Sequence, residues 1–409
     1  MSTGLLLGNS DFVRLWTAQT LSVFGSQFTL LALPIIAALS LGASPGQMGV
    51  LSAVGTAPFL LIGLFAGAWI DRVHRRPILV FGDLGRALLL GTIPLAAFLG
   101  ALGMSQLYIV GFLVGVLTVF FDVAYQAYLP ALIDREHLVE GNSRLEASRS
   151  LAQISGPGLA GALIQILSAP AVILIDALSF LSSAFFIWRI GTKEERPRPA
   201  ETSFLAQVHE GIRVVLGHPL LRAIAGCTAT WNFFTSLWFA LYILFATREL
   251  GLTPAAIGLI ASIGNLGGLA ATVSAGRLAS RLGVGRAIIG AALFGSMNAI
   301  PLVVATPMSA FVLLTLASLL ANAASQVYNI NQVSLRQAIV PQRLQGRMNA
   351  TMRFLVWGTI PLGALVGGFL GQELGLRQAI GVGAVGSLLS GLWVLLSPLR
   401  AVRRIPDTV

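Results

Sequence analysis

Two carboxylates in this chain, Asp122 and Asp176, sit inside long apolar runs. A carboxyl group held away from bulk water at bilayer depth is a candidate for exchanging a proton. Amide and hydroxyl groups recur in three further runs. In the first, Gln19, Ser22, Ser26 and Thr29 follow at steps of three, four and three, which is one helical face, and Gln27 stands beside it. A second run carries Thr228, Asn232 and Thr235 on one face, with Trp231, Trp238 and Tyr242 nearby. A third carries Asn322, Gln326 and Asn329, joined by Tyr328, Asn331 and Gln332. Polar side chains in a bilayer are costly and turn toward a bundle interior or a wet cavity. Aromatic walls with scattered amides and hydroxyls suit a bulky, amphipathic organic molecule. A lone Ser or Thr can instead bond back to its own helix.

Other chemistry finds no support. The four histidines, His74, His137, His209 and His218, all fall in polar segments, and Cys227 is the single cysteine. No disulfide, metal site or cofactor is expected, and an intramembrane enzyme lacks a convergent catalytic set. No Gly-rich nucleotide loop of the GxxxxGK[ST] kind occurs, which argues against a primary pump. The net charge of +10 could suggest nucleic acid; in a chain this apolar it records loop topology instead.

These groups must be positioned by membrane helices. Apolar residues make up 56% of the 409 residues and charged ones 10%, against about 25% charged in an average soluble domain. Apolar runs bounded by turn signals predict spans near 12–39, 47–70, 79–101, 105–130, 148–168 and 170–190. Six more follow near 220–246, 255–279, 285–306, 308–334, 349–371 and 377–398. With the N-terminus inside, all but Arg248 and Arg377 of the 26 basic residues fall on the cytoplasmic side, Arg86 among them. The positive-inside rule then places both termini in the cytoplasm. The expected fold is an all-α membrane protein of twelve helices in two six-helix bundles, 1–190 and 220–409. Between them runs a charged linker, 191–219, whose Phe204, Leu205, Val208, Ile212, Val215 and Leu216 recur at helical spacing. That pattern predicts an amphipathic helix on the inner membrane face.

The halves repeat. At a shift of 207, Ala131 meets Ala338, Asn142 meets Asn349, Gly156 meets Gly363 and Gly161 meets Gly368. At a shift of 209, Gly55 meets Gly264, Gly67 meets Gly276 and Arg72 meets Arg281. Six spans per repeat give both halves one orientation, related by an axis along the membrane normal. The repeat also sets Asn329 opposite Asp122, a neutral amide facing an ionisable group.

The loop after the second span reads Gly67-Ala-Trp-Ile-Asp71-Arg72-Val-His74-Arg75-Arg76. It resembles the Gly-x-x-x-Asp-Arg-x-Gly-Arg-Lys/Arg loop of the major facilitator superfamily, with His74 where that family has glycine. Gly276-Arg277-Leu-Ala-Ser280-Arg281 is a degenerate second copy. Ser155-Gly156-Pro157-Gly158-Leu-Ala160-Gly161 resembles the Gly-Pro element that exporters of that family carry in helix five. Further stretches, around Arg14 to Gln19, Phe121 to Pro130 and Gly217 to Arg222, look most like the enterobactin-exporter and macrolide-efflux branch.

The resemblance implies a secondary transporter working by alternating access. Spans one, four, seven and ten would line its cavity, which adds Tyr125 and Gln126 of span four to the candidates. Gly67, Asp71, Arg72, Arg75 and Arg76 would form an inner latch, joined by Glu146 and Arg149, and Gly156, Pro157 and Gly161 would make a bendable gating helix. The implied function is proton-driven export of a drug, macrolide or siderophore-like molecule from a bacterial cytoplasm, by a monomer contacting lipids. Span four lacks the arginine of many drug–proton antiporters of the family. A metabolite or lysolipid facilitator or importer is the alternative on the same fold. A transport-inactive scaffold would call for a soluble domain.

Overall fold

The computed structural model describes residues 8–70, 72–192, 194 and 204–404. Asp71 of the loop motif and part of the linker (Lys193 and 195–203) lie outside the described residues. Among these, the chain is helical throughout, with no strand.

Helix α1 (Ser10–Ile35) starts at Asn9, whose side-chain oxygen accepts from the amides of Asp11 and Phe12, both at 3.1 Å. It runs on into a π-helical turn, Ile36–Ser40. Then follow α2 (Pro45–Leu61), α3 (Gly63–Ile70), α4 (Arg75–Phe98), α5 (Met104–Leu132), α6 (Leu138–Ile166) and α7 (Ala169–Trp188). After the linker come α8 (Phe204–Gly217), α9 (Pro219–Arg248), α10 (Pro254–Leu282), α11 (Val284–Ser296) and the short α12 (Ile300–Val304). The chain ends in α13 (Ala310–Ile339), α14 (Gln342–Trp357), α15 (Thr359–Leu374) and α16 (Leu376–Leu395). The breaks before α11 and α16 each turn on one glycine, Gly283 at φ +88° and Gly375 at φ +90°, a conformation L side chains rarely adopt.

Among the described residues, ten helical stretches are long and apolar enough to cross a membrane, with α11 and α12 counted as one, Val284–Val304, and α14 and α15 as another, Gln342–Leu374. The chain is an all-α, multi-pass membrane protein. The expected second and fifth spans fall outside those ten. The second is interrupted at Ile62, so that neither α2 nor α3 reaches the required length. The fifth, α6, opens with Glu140, Arg144, Glu146 and Arg149 and is diluted by glycine and glutamine.

The chain forms two compact units. The first gathers Met1–Ala43, Val54–Glu201 and Thr253–Leu259; the second gathers Ser44–Ala53, Thr202–Leu252 and Ile260–Val409. In the first, α1 packs on α6 and α7, and α4 packs on α5 and α7. Its core holds Phe12, Leu15, Phe121, Tyr128 and Ile187. In the second, α9 packs on α14, α15 and α16, and α11 on α13 and α16. Small residues allow the closest crossings. A Cβ on Gly363 or Gly367 would overlap the carbonyl oxygens of Phe233 and Leu237 on α9.

The linker's helical pattern does form a helix, but α8 packs against α14. Val215 is fully buried in the core that holds Met348 and Met352, and Arg347 pairs with Glu210. Ile212 and Leu216 of the same apolar face stay exposed, at 37% and 46%.

Candidate functional site

In the first unit the polar face of α1 divides between two neighbours. Trp16 Nε1 donates to Ser148 Oγ of α6 at 2.8 Å, and the Gln27 stem lies where a Cβ on Gly156 would fall. One turn on, Thr29 Oγ1 donates to Asp176 Oδ2 of α7. Ser179 Oγ donates to Asp176 Oδ1 at 3.1 Å, and that oxygen lies over Gly25, where a Cβ would overlap it. Asp176 is 1% exposed. Ser22 is buried, and Ser26 bonds back to the Ser22 carbonyl at 2.8 Å, the local arrangement open to any helical serine. Gln19 is half-buried, with its carbonyl oxygen lacking a hydrogen-bond partner.

Beside Asp176 lies a buried ion pair, Asp83 with Arg86. Arg86 was counted with the cytoplasmic charges; it stands in the middle of α4, 4% exposed and ion-paired with Asp83, which is fully buried. Its guanidinium carbon lies 4.2 Å from the ring centroids of both Phe121 of α5 and Phe180 of α7. Two aromatic faces thus take the place of solvent around a permanent charge. The signal was present: Asp83 and Arg86 are three residues apart, one helical step, in an otherwise apolar run.

Asp122 and Tyr125 occupy the end of α5 nearest the charged start of α6. Asp122 is half-buried and Gln126 exposed. Tyr125 stacks on Phe121 at 6.1 Å, and its buried hydroxyl has no partner. Glu146, Arg149 and Asp122 all lie within electrostatic reach of Tyr125. Glu146 and Arg149 are themselves exposed.

The polar end of this unit is tied down by two carboxylates. Asp11 accepts from the amides of Gly191 and Thr192 at 3.0 and 2.9 Å, and from the Thr192 hydroxyl at 2.7 Å. Arg14 donates to Asp11 at 2.7 Å and to the Arg189 carbonyl at 2.8 Å. Glu194 accepts from the amides of Arg75 and Arg76 at 2.8 and 2.7 Å, placing a negative charge at the start of α4. Arg76 reaches the carbonyls of Ile187 and Trp188. Of the loop motif, then, Arg75 and Arg76 join this network, Arg72 is exposed, and Gly67 has nothing near its Cβ position. The Glu194→Gln variant keeps the shape and removes the charge. It is expected to cost about 0.5–2 kcal/mol, read as a lower melting temperature of the purified protein.

Gly161 of α6 meets the first turn of α10: a Cβ there would overlap the Pro254 carbonyl oxygen, and one on Gly258 would overlap that of Pro157.

In the second unit, Thr228 and Tyr328 share a hydroxyl hydrogen bond of 2.7 Å, and Trp231 meets the Tyr328 ring edge-on at 6.2 Å. Asn232 donates to the Val356 carbonyl of α14 at 3.0 Å, and Asn322 to its own helix at Ser318, 2.9 Å. Both amides therefore hold backbone. Asn329 is exposed and accepts from Gln332 at 3.1 Å, while Gln326 is half-buried. Trp231 Nε1, Thr235 Oγ1, Trp238 Nε1 and Gln332 Oε1 are buried atoms without hydrogen-bond partners. They bring donors and an acceptor onto the aromatic faces of α9 and α13. Apart from them, a groove of about 430 Å³ lies between α9 and α16, lined by Pro219, Arg222, Leu392 and Trp393. Among the described residues, no group of His, Cys, Asp and Glu is arranged to hold a metal.

The description Major Facilitator Superfamily belongs to the family model that matches residues 15–357 and 224–408. The multidrug efflux pump Tap of Mycolicibacterium fortuitum is 28% identical, over 91% of this chain and 92% of its own. The enterobactin exporter EntS of Salmonella typhi is 25% identical, over 99% and 97%. Macrolide efflux protein A of Streptococcus pyogenes is 26% identical over 50% of this chain and 51% of its own. Among solved structures, a bacterial homologue of the iron transporter ferroportin superposes with a TM-score of 0.77 at 19% identity, covering 94% of this chain and 98% of its own. The nucleoside transporter NupG superposes at 0.73 with 13% identity, covering 94% and 98%. A family match along nearly the whole chain, on a fold shared with transporters, shows that this protein is a member of the major facilitator superfamily, a transporter and not an enzyme.

Proposed function

We propose that this protein exports small organic molecules, of the drug, macrolide or siderophore-like kind, from the bacterial cytoplasm at the expense of the proton gradient. In this reading both termini are cytoplasmic and the two halves alternate access to a central site. The observation that carries it is the set of unpartnered hydrogen-bonding atoms along α9, those of Trp231, Thr235 and Trp238. Such side chains offer area to a bulky apolar body and single polar contacts to its heteroatoms. The efflux names of the relatives support the same reading. Asp122 and Asp176 are its coupling carboxylates, and the ties of Asp11 and Glu194 brace its inner end.

Counterflow in proteoliposomes tests it, using a panel of hydrophobic drugs, siderophores and lysolipids with and without an imposed pH gradient. Exchange of a drug or siderophore, accelerated by the gradient, is expected. No exchange of any of them defeats the proposal, and exchange of lysolipid alone shifts it to lipid facilitation. Asp122→Asn is expected to abolish the acceleration while leaving exchange intact. Trp231→Ala is expected to raise the half-saturating concentration about tenfold, near 1.4 kcal/mol of binding, and Trp231→Phe only a few-fold, since it keeps the ring and loses one hydrogen bond.

A further inference from the structure

The second unit shows what helix packing alone demands at the position equivalent to the buried ions. Ser183 of α7 corresponds to Ser390 of α16 at the 207-residue shift, and there Ser296 and Ser390 share a hydroxyl contact of 3.2 Å with Ser387 buried alongside. Neutral hydroxyls fill that place. The first unit instead buries two carboxylates and one guanidinium.

On α7, Asp176, Phe180 and Ser183 follow at steps of four and three, one helical face. Arg86 lies over Phe180, one turn from Asp176, while Ser183 faces Asp83. The charged groups acting on Asp176 are Arg86 and Asp83, and the one acting on Asp83 is Arg86. The side chains that α1 turns to Asp176 are uncharged: Thr29 bonds it, and Gly25 leaves it room. The flanking α5 presents Phe121 to Arg86. Arg86 Nε is buried with no hydrogen bond, and Asp83 Oδ2 and Ser183 Oγ lack a close one, Ser183 reaching Asp83 only weakly. A settled structural ion pair would have these satisfied.

A net charge enclosed by protein at bilayer depth is strongly disfavoured. Two ionised carboxylates around one guanidinium leave one negative charge in excess, so the neutral cluster holds one proton. The permanent charge of Arg86 excludes a metal cation from the same place, which leaves the proton as the exchangeable ion.

We infer that Asp83, Arg86 and Asp176 form one proton-binding centre, in which two carboxylates share a single proton and a single guanidinium. When Arg86 pairs with Asp83, the proton resides on Asp176. When Arg86 swings along Phe180 to Asp176, the O–H bond there breaks and one forms at Asp83 Oδ2, so the cluster stays neutral. Release of the proton to water leaves the excess negative charge behind, and therefore occurs only in a conformation that admits water. Coupling of this centre to export rests on the function proposed above; proton sharing itself does not.

The test is infrared difference spectroscopy of the purified full-length protein in nanodiscs, reading the stretch of protonated carboxyl groups in neutral buffer. Wild type is expected to show one protonated carboxyl. Asp83→Asn and Asp176→Asn are each expected to lose it, because one carboxylate then balances Arg86 without a proton. Arg86→Gln is expected to double it. A static Asp83–Arg86 pair beside an independent Asp176 predicts instead that the band survives Asp83→Asn, and that result overturns the centre. In proteoliposomes, both Asn variants should keep counterflow and lose acceleration by the pH gradient; acceleration retained in Asp83→Asn also overturns it. Absence of counterflow in wild type would defeat the exporter reading alone, since the spectroscopic result stands without a substrate.

Discussion

Replacement of Arg86 by methionine should lower the stability of the purified protein by about 3–5 kcal/mol, visible as a large fall in melting temperature. The variant leaves Asp83, fully buried, without its cation, and it strips the charge from between Phe121 and Phe180. Asp83 must then take up a proton from neutral water, which is what makes the loss large; the same volume filled by an apolar side chain is not costly in itself. The double variant Asp83→Asn with Arg86→Met should therefore recover most of the loss, since no full charge of the pair remains. A double variant as unstable as the single one would mean that packing around the guanidinium, not charge balance, holds α4 to α5 and α7. Asp83→Asn alone should be milder than Arg86→Met, because Asp176 stands close enough to act on Arg86 and can take it as a partner.

The second large effect is steric. Gly258→Val, at the start of α10, would place a Cβ on top of the Pro157 carbonyl oxygen, and Gly161→Val would place one on top of that of Pro254. Neither obstacle is the end of a flexible side chain, so the two helices have to part. Overpacking of this kind costs about 1–3 kcal/mol, and a seam forced open by that amount shifts a conformational equilibrium by about fivefold or more. Counterflow in either variant should fall about fivefold or more, with a lower melting temperature. Gly55→Ala is the control: nothing lies within 4 Å of its Cβ position, so both measurements should match wild type. Normal counterflow in Gly258→Val would show that this seam takes no part in the transport cycle.

Much of the architecture was legible because a bilayer leaves a chain few options. Backbone groups with no water to bond must form helices, so apolar runs between turn signals marked the helices directly. The second span shows the limit of that reasoning: its composition is apolar throughout, yet the break at Ile62 divides it into α2 and α3. The linker helix shows another. The spacing of Ile212, Val215 and Leu216 announces an apolar face but not how it divides: Val215 is buried in the core with Met348 and Met352 of α14, while Ile212 and Leu216 stay exposed. Periodicity reports that a face is apolar; the neighbour is chosen by contacts distant in sequence.

The candidate site divided along the same line. Asp122 and Asp176 stood out as carboxylates in apolar runs, and the amides of α1, α9 and α13 as helical stripes. Their use was not visible in the stripes. Asn232 and Asn322 spend their amides on backbone carbonyls, while the less conspicuous Trp231, Thr235 and Trp238 keep buried polar atoms unpaired.

What the sequence determined by itself is the class of molecule: a multi-pass helical membrane protein with an internal repeat, because hydropathy and repetition are properties of the chain read along its length. What only the tertiary structure decided is which ions meet. The spacing of Asp83 and Arg86 hints at a pair, but not at what surrounds it until α4 is packed against α5 and α7. Then Phe121, Phe180 and Asp176, residues far from Arg86 in the chain, enclose it with Asp83 in a place water does not reach. Charge in a low dielectric is governed by everything within a few ångströms, and that neighbourhood exists only once the helices are assembled.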